Sequence, residues 1–243
     1  MKNNLLICLL FLLPLTASTQ TGSYDTIAIF ILDHMSDVIG DLGSCSYTLN
    51  TSHDVLSDVG LGLITQTAVH EVKMVGPDKM QINSIGDKGH RGFWYNGEQV
   101  AYYFYDENNY ALVEAPSTIL ETIDTMNQRY GIDFPAADFF YPGFTDDLMQ
   151  HNDQIAYLGT SNVGGKDCFH IIATSKEMSV QFWIANDATT LPAKMLIMYF
   201  GKADASQYEA IFSDWNINPQ IPESVFEFLP PPGAKDIAIM RKN

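Results

Sequence analysis

Apolar and polar residues change rhythm several times along this chain, and each change marks an element. From Tyr24 to Leu42 the apolar positions Ile27, Phe30, Ile31, Met35, Val38, Ile39 and Leu42 recur at helical spacing, with Gly43 as a stop. Strand patterns follow. "SCSYTLNTSHDV" reads as a strand, and "GLITQTAVHEVKMVGPDKMQINSIG" as two strands around Gly76-Pro77-Asp78. In the first of these two, His70, Val72 and Met74 share one face and Glu71 and Lys73 the other. "FWYNGEQVAYYFYDENNYALVEAP" gives three more strands. Asn96-Gly97 predicts a two-residue hairpin that sets Tyr95 opposite Glu98 and puts Phe93 on the face of Val100, Tyr102 and Phe104.

The middle of the chain turns helical. Thr118 and Glu121 form a capping box after Pro116, Ile119, Leu120, Ile123 and Met126 follow, and Gly131 ends the run. "FPAADFF" and "TDDLMQH" read as two shorter helices. Strands return at Gln154, turn at Gly164-Gly165, and continue to "QFWIANDATTLPAKMLIMYF", a hairpin apolar on both faces. With Lys194 outward, Met195, Ile197 and Tyr199 point inward. A last strand, a proline-bounded turn and a short terminal strand close the chain. The pattern predicts one α+β domain over residues 20–243. Its many hairpin-linked antiparallel strands are expected to curl into a barrel or half-barrel, with helices burying their stripes on the concave face.

Composition narrows the partners. Of 243 residues, 46% are hydrophobic and 17% charged, enough apolar material for a core. The net charge of −16 repels phosphate backbones and no basic stripe offsets it, which argues against nucleic acid. "MKNNLLICLLFLLPLTASTQ" has one early lysine, a short apolar core and then small residues, the pattern of a cleaved signal peptide over residues 1–19. Cys8 is preceded by Ile7, which favours a soluble product over a lipid-anchored one. No later stretch is long and apolar enough for a transmembrane span. Cys45 and Cys168 remain, far apart and outside any cysteine framework, and free thiols are expected.

The chain shows no catalytic constellation. There is no G-x-S-x-G elbow, and none of the six histidines forms an H-E-x-x-H or H-x-H pair. Asp147 and His151 share a helical face, but a solvated helix end is the simpler reading than a metal site. "GLGL" lacks the strand and helix of a nucleotide fingerprint. No cofactor, no metal site and no enzymatic activity are expected.

Five fragments in order carry a resemblance: "WYNGEQVAYYF…NNYALVEAPSTI", "RYGIDFPAADFF", "AYLGTSNVGGKDCFHI", "FWIANDATTLPAKMLI" and "YEAIFSDWNINPQIPESVFEFLPPPGA". Together they resemble a family of predicted periplasmic proteins of unknown function, itself similar to the LolA/LolB-like lipoprotein-carrier superfamily. The resemblance implies an unclosed antiparallel β-barrel with helices plugging its concave face. It also implies a periplasmic or secreted location and a non-enzymatic binding function for a lipid, a lipoprotein acyl chain or another hydrophobic ligand. Phe93, Tyr102, Phe104, Met195, Ile197 and Tyr199 are the expected lining residues. The carriers' cavity-closing arginine has no match in Arg91 or Arg129. A protein-binding or sensory module of the same fold, with Trp94, Tyr103 and Tyr105 as its surface and an envelope protein as partner, is the alternative.

Overall fold

Strand pairing organises the chain. The computed structural model describes residues 22–200 and 206–242; the signal peptide expected over 1–19 lies outside the described residues. The strands are β1 (Ser23–Tyr24), β2 (Ser44–Leu56), β3 (Leu63–Val75), β4 (Lys79–Gly86), β5 (Gly89–Tyr95), β6 (Gln99–Phe104) and β7 (Asn109–Glu114) before the central helices. After them come β8 (Gln154–Val163), β9 (Lys166–Thr174), β10 (Met178–Ala185), β11 (Pro192–Tyr199), β12 (Gln207–Ile217) and β13 (Lys235–Asp236). All thirteen form one sheet in the order β1-β8-β9-β10-β11-β12-β2-β3-β4-β5-β6-β7-β13. The sheet is not closed into a barrel, and only its outermost pairs, β1 with β8 and β13 with β7, are parallel.

Because side chains alternate, each strand gives one face to the core. Ile171, Phe182, Met195 and Ala210 stand side by side on β9 to β12, all buried. Met74, Met80, Tyr95 and Val100 form a second such row on β3 to β6. One long connection from β7 to β8 fills the space between the rows. It carries helix α2 (Ile119–Tyr130), a short 3-10 helix (Ala137–Phe140) and α3 (Phe144–His151), numbered after α1 (Thr26–Gly40) at the N-terminal end. Phe134 meets Phe93 edge-on at 5.0 Å on one half of the sheet. Phe139 meets Phe182 at 5.9 Å and Phe212 at 5.6 Å on the other. This strap is the plug, and the α+β half-barrel expected from sequence is the observed architecture.

Local signals set the helix ends. Asp25 caps α1 by accepting from the Ile27 N–H at 2.8 Å. Thr118 accepts from the Glu121 N–H at 3.3 Å, and Gly131 ends α2 at φ 65°, a conformation that favours glycine. Two expectations change. The buried stripe of α1 is Ala28, Ile31, Leu32, Met35 and Ile39, while Ile27 and Phe30 are 55% and 71% exposed. The helix is rotated so that these two look away from the sheet. At Asn96-Gly97, Tyr95 pairs with Val100 rather than Glu98. The Asn96 carboxamide oxygen accepts from the Glu98 and Gln99 N–H groups, which makes Gly97-Glu98 the centre of the turn. Phe93 still shares a face with Val100 and Tyr102, because the register moves by an even number.

The outer face is covered in two places. Trp183 stacks on His170 at 4.3 Å, and Lys194 lies over its indole and pairs with Glu209. That band covers Trp183, while Met198, on the same outer face of β11, stays 41% exposed. The C-terminal segment crosses β5 to β7, where Phe228 packs on Trp94, Tyr103 and Tyr110. Tyr103 is therefore buried and Trp94 only half-exposed, so the aromatic surface expected at Trp94, Tyr103 and Tyr105 is largely occupied by the chain itself.

Candidate functional site

Between β10–β11 and the strap the packing stops short and leaves a cleft of about 720 Å³. That volume lies in the range of roughly 300–1,000 Å³ typical of small-molecule sites. The floor is apolar. Met178, Val180 and Phe182 on β10 stand opposite Tyr199, Ile197 and Met195 on β11, a register that turns all six toward the strap. The roof uses the inward positions of the strap: Ile123 on α2, Phe134 and Ala137 around the 3-10 helix, and Phe144 and Leu148 on α3. A crevice of only about 30 Å³ lies on the far side of Phe134 and Ala137, against Met80 and Ile82.

The rim is polar. Asp124, Asn127 and Gln128 come from α2, Asp138 and Tyr141 from the 3-10 turn, Asp147 from the first turn of α3, and His151 and Asn152 from its end. Tyr141 donates its hydroxyl to Asp124 at 2.7 Å. Burial pushes its phenol well above the usual range, and the nearby carboxylates of Asp124 and Asp138 push the same way. Burial likewise raises Tyr208, with Asp138 adding to it. Among the described residues no group of three or more His, Cys, Asp or Glu side chains is arranged to hold a metal ion.

The structure brings together three of the six side chains expected to line a cavity. Met195, Ile197 and Tyr199 line the cleft. Phe93, Tyr102 and Phe104 share the concave face but stand on the other half of the sheet. There Phe134 covers Phe93, and Tyr102 packs on Phe104 at 4.8 Å. Arg91 lies over the Phe104 ring at 4.9 Å and pairs with Asp106 and Glu107, each at 3.4 Å. Sequence reasoning missed the roof. The i, i+4 pairs Leu148–Asn152 and Asp147–His151 were the available signal, but strand alternation does not say which helix faces which strand.

Among curated proteins no sequence matches the chain. Solved structures with a similar course include an uncharacterised conserved protein of Thermus thermophilus, 9% identical over 87% of this chain and 98% of its own, TM-score 0.48. The Mycobacterium tuberculosis lipoprotein LppX is 13% identical over 82% of this chain and 98% of its own, TM-score 0.46. Pseudomonas aeruginosa MucB, solved in complex with MucA, is 13% identical over 83% of this chain and 61% of that one, TM-score 0.45. Among the described residues no helix is long and apolar enough to cross a membrane. Residues 28–240 match the family described as "Predicted periplasmic protein (DUF2092)", and the chain belongs to that family.

Proposed function

We propose that the chain is an exported, non-catalytic binding protein that holds a lipid or another hydrophobic ligand in the cleft between the strap and β10–β11. The observation that carries this reading is an unfilled space of about 720 Å³ with an apolar floor in an otherwise packed concave face. The cleft opens to solvent at its polar rim, so its apolar floor is surface that a hydrophobic ligand would remove from water. Each methylene moved from water into it contributes about 0.8 kcal/mol. A chain of about twelve carbons then gains roughly 10 kcal/mol before association costs, which consume a large part of it. Micromolar binding, about −8 kcal/mol, is within reach without a polar contact.

Native mass spectrometry of protein purified from its own envelope should show a lipid-sized adduct. Delipidated protein should bind the uncharged dye Nile red saturably. Ile197→Asp, shown to fold by near-UV circular dichroism, should lose that binding, because an unpaired charge in an apolar site is costly. Ile197→Trp, which fills the cleft, should weaken it without adding charge. Absence of saturable binding by delipidated wild type ends this reading. An envelope protein co-purifying in place of lipid points instead to a protein-binding module.

A further inference from the structure

The β2–β3 hairpin outruns its neighbours. β12 pairs with β2 only as far as His53, and β4 with β3 only as far as Ala68. Three further pairs, Asp54 with Thr65, Val55 with Ile64 and Leu56 with Leu63, carry the hairpin on without a third strand by roughly 10 Å. Turns are normally polar, as at Asp87-Lys88, Asp106-Glu107 and Lys176-Glu177 on the same rim of the sheet. This one is apolar: Leu56, Val59, Leu61 and Ile64 are between 44% and 78% exposed.

The chemistry of the tip says what it meets. Val55 and Ile64 stand on one face, Leu56 and Leu63 on the other, and Val59 and Leu61 in the loop between. A projection that is apolar all round suits immersion in a hydrocarbon layer, whereas a docking face for a protein is one-sided. The loop also meets its own backbone needs, as a layer without water requires. The Ser57 N–H donates to the Gly62 carbonyl at 2.8 Å and the Gly60 N–H to the Ser57 carbonyl at 3.1 Å. The cleft of a second copy is the wrong occupant, because Asp58 on the tip would meet Asp124, Asp138 and Asp147 on the cleft rim.

Position agrees with chemistry. The Met178–Tyr199 end of the cleft floor and the exposed Phe200 lie at this same rim. The chain also enters the sheet here, since Ser23 pairs with Gln154 at the start of β8. The apolar core of the expected leader ends at Leu15, eight residues before Ser23, which allows at most about 29 Å of extended chain. A leader seated in a membrane therefore holds this rim close to that membrane.

We infer that the β2–β3 tip is a membrane-contact device: Leu56, Val59, Leu61 and Ile64 dip into the surface of a zwitterionic bilayer and bring the Met178–Tyr199 end of the cleft toward the lipid. The net charge of −16 and Asp58 select against anionic lipid. This goes beyond the binding reading, and the two fail separately.

Co-sedimentation with sucrose-loaded phosphatidylcholine vesicles tests it. Wild type should partition onto them, and less onto phosphatidylglycerol vesicles. The double variant Leu56→Ser with Leu61→Ser, which alters exposed positions only, should partition at least about tenfold more weakly. Its saturable Nile red binding, measured without vesicles, should match wild type. Leu229→Ser, which removes an equally exposed leucine from the C-terminal segment, should change nothing. Leu61→Trp should add emission that acyl-brominated phosphatidylcholine quenches. Wild type left in the supernatant, tighter binding to phosphatidylglycerol, or an equal loss with Leu229→Ser overturns the inference. So does self-association in place of vesicle binding that the double variant abolishes, which would give the tip to a second copy. Vesicle binding without Nile red uptake leaves the tip inference standing and ends the binding reading.

Discussion

His70 is the residue whose surroundings say most about pH. It sits on the concave side of β3, with Thr51 Oγ1 3.1 Å from Nε2 and Ser84 Oγ 2.7 Å from Nδ1. Burial pushes its pKa down to about 4. In the unfolded chain an imidazole titrates near ~6.5, so the unfolded state takes up the proton first as pH falls. The contribution of neutral His70 is therefore complete above about pH 6.5, declines between about 6.5 and 4, and changes no further below that. The largest possible loss is about 3 kcal/mol. Urea titrations of His70→Gln should show a shallower fall in stability across that window than wild type; equal slopes would contradict the assignment. Cys45 and Cys168 are both free and buried. Burial pushes the Cys45 thiol up to about 12 and raises Cys168 as well. Their strands, β2 and β9, have β10, β11 and β12 between them, which puts a disulfide out of reach. Peptide mapping of the unreduced, denatured chain should find both labelled by a thiol reagent, whereas the native chain should react slowly.

Among the elements, α2 shows what sequence alone conveys. Its start and stop are local chemistry, Thr118 with Glu121 at one end and Gly131 at the other, and both are readable from the chain. Thr118→Ala should cost about 1 kcal/mol, measurable as a lowered thermal midpoint. A loss near zero would mean that packing alone holds the helix start. The β3–β4, β6–β7 and β8–β9 hairpins were legible for the same reason, since a turn signal and two alternating runs specify them. The Asn96-Gly97 turn was not fully legible, because the Asn96 side chain closes the turn on Glu98 and Gln99 and moves the loop centre by one residue. The buried face of α1 was hidden for a different reason. Ile27 and Phe30 fit the apolar stripe as well as Ala28 and Leu32 do, and only the position of the sheet decides between them.

At the scale of the whole molecule, one uninterrupted sheet is held to one long strap by a few aromatic contacts. Phe139 is the densest of these, fully buried and stacked near Phe144 at 5.2 Å while meeting Phe182 and Phe212. Phe139→Ala should cost about 3–5 kcal/mol. It should also enlarge the space behind the cleft, so loss of stability with retained Nile red binding is the expected pair of results. The floor of the cleft could be read from alternation on β10 and β11. The roof could not, because Phe134, Phe144 and Asn152 reach the floor only through long-range packing that no local period encodes. The same packing shuts the other half of the concave face, where Phe134 fills the room in front of Phe93.

An unclosed sheet has two ends, and here a short segment near each end of the described chain lies along one of them. The backbone of Ser23 and Asp25 donates to Asp153 and Ile155 along β8, and that of Lys235 and Ile237 donates to Asn108 and Tyr110 along β7. Each stopper is a two-residue parallel strand, and β8 beyond it shifts register between Tyr157 and Gly159, which twists the remaining edge away from a straight template. β7 and β8 run in the same direction at opposite ends of the antiparallel run, and each stopper occupies backbone groups that a strand of another chain would otherwise pair with. Ending the chain at Phe226 would remove the β13 stopper and, with Phe228, the cover on Trp94, Tyr103 and Tyr110 in a single step. Light scattering coupled to size exclusion should then find concentration-dependent assemblies where the full chain gives none, and a shortened chain that stays monomeric would show that the edge needs no guard.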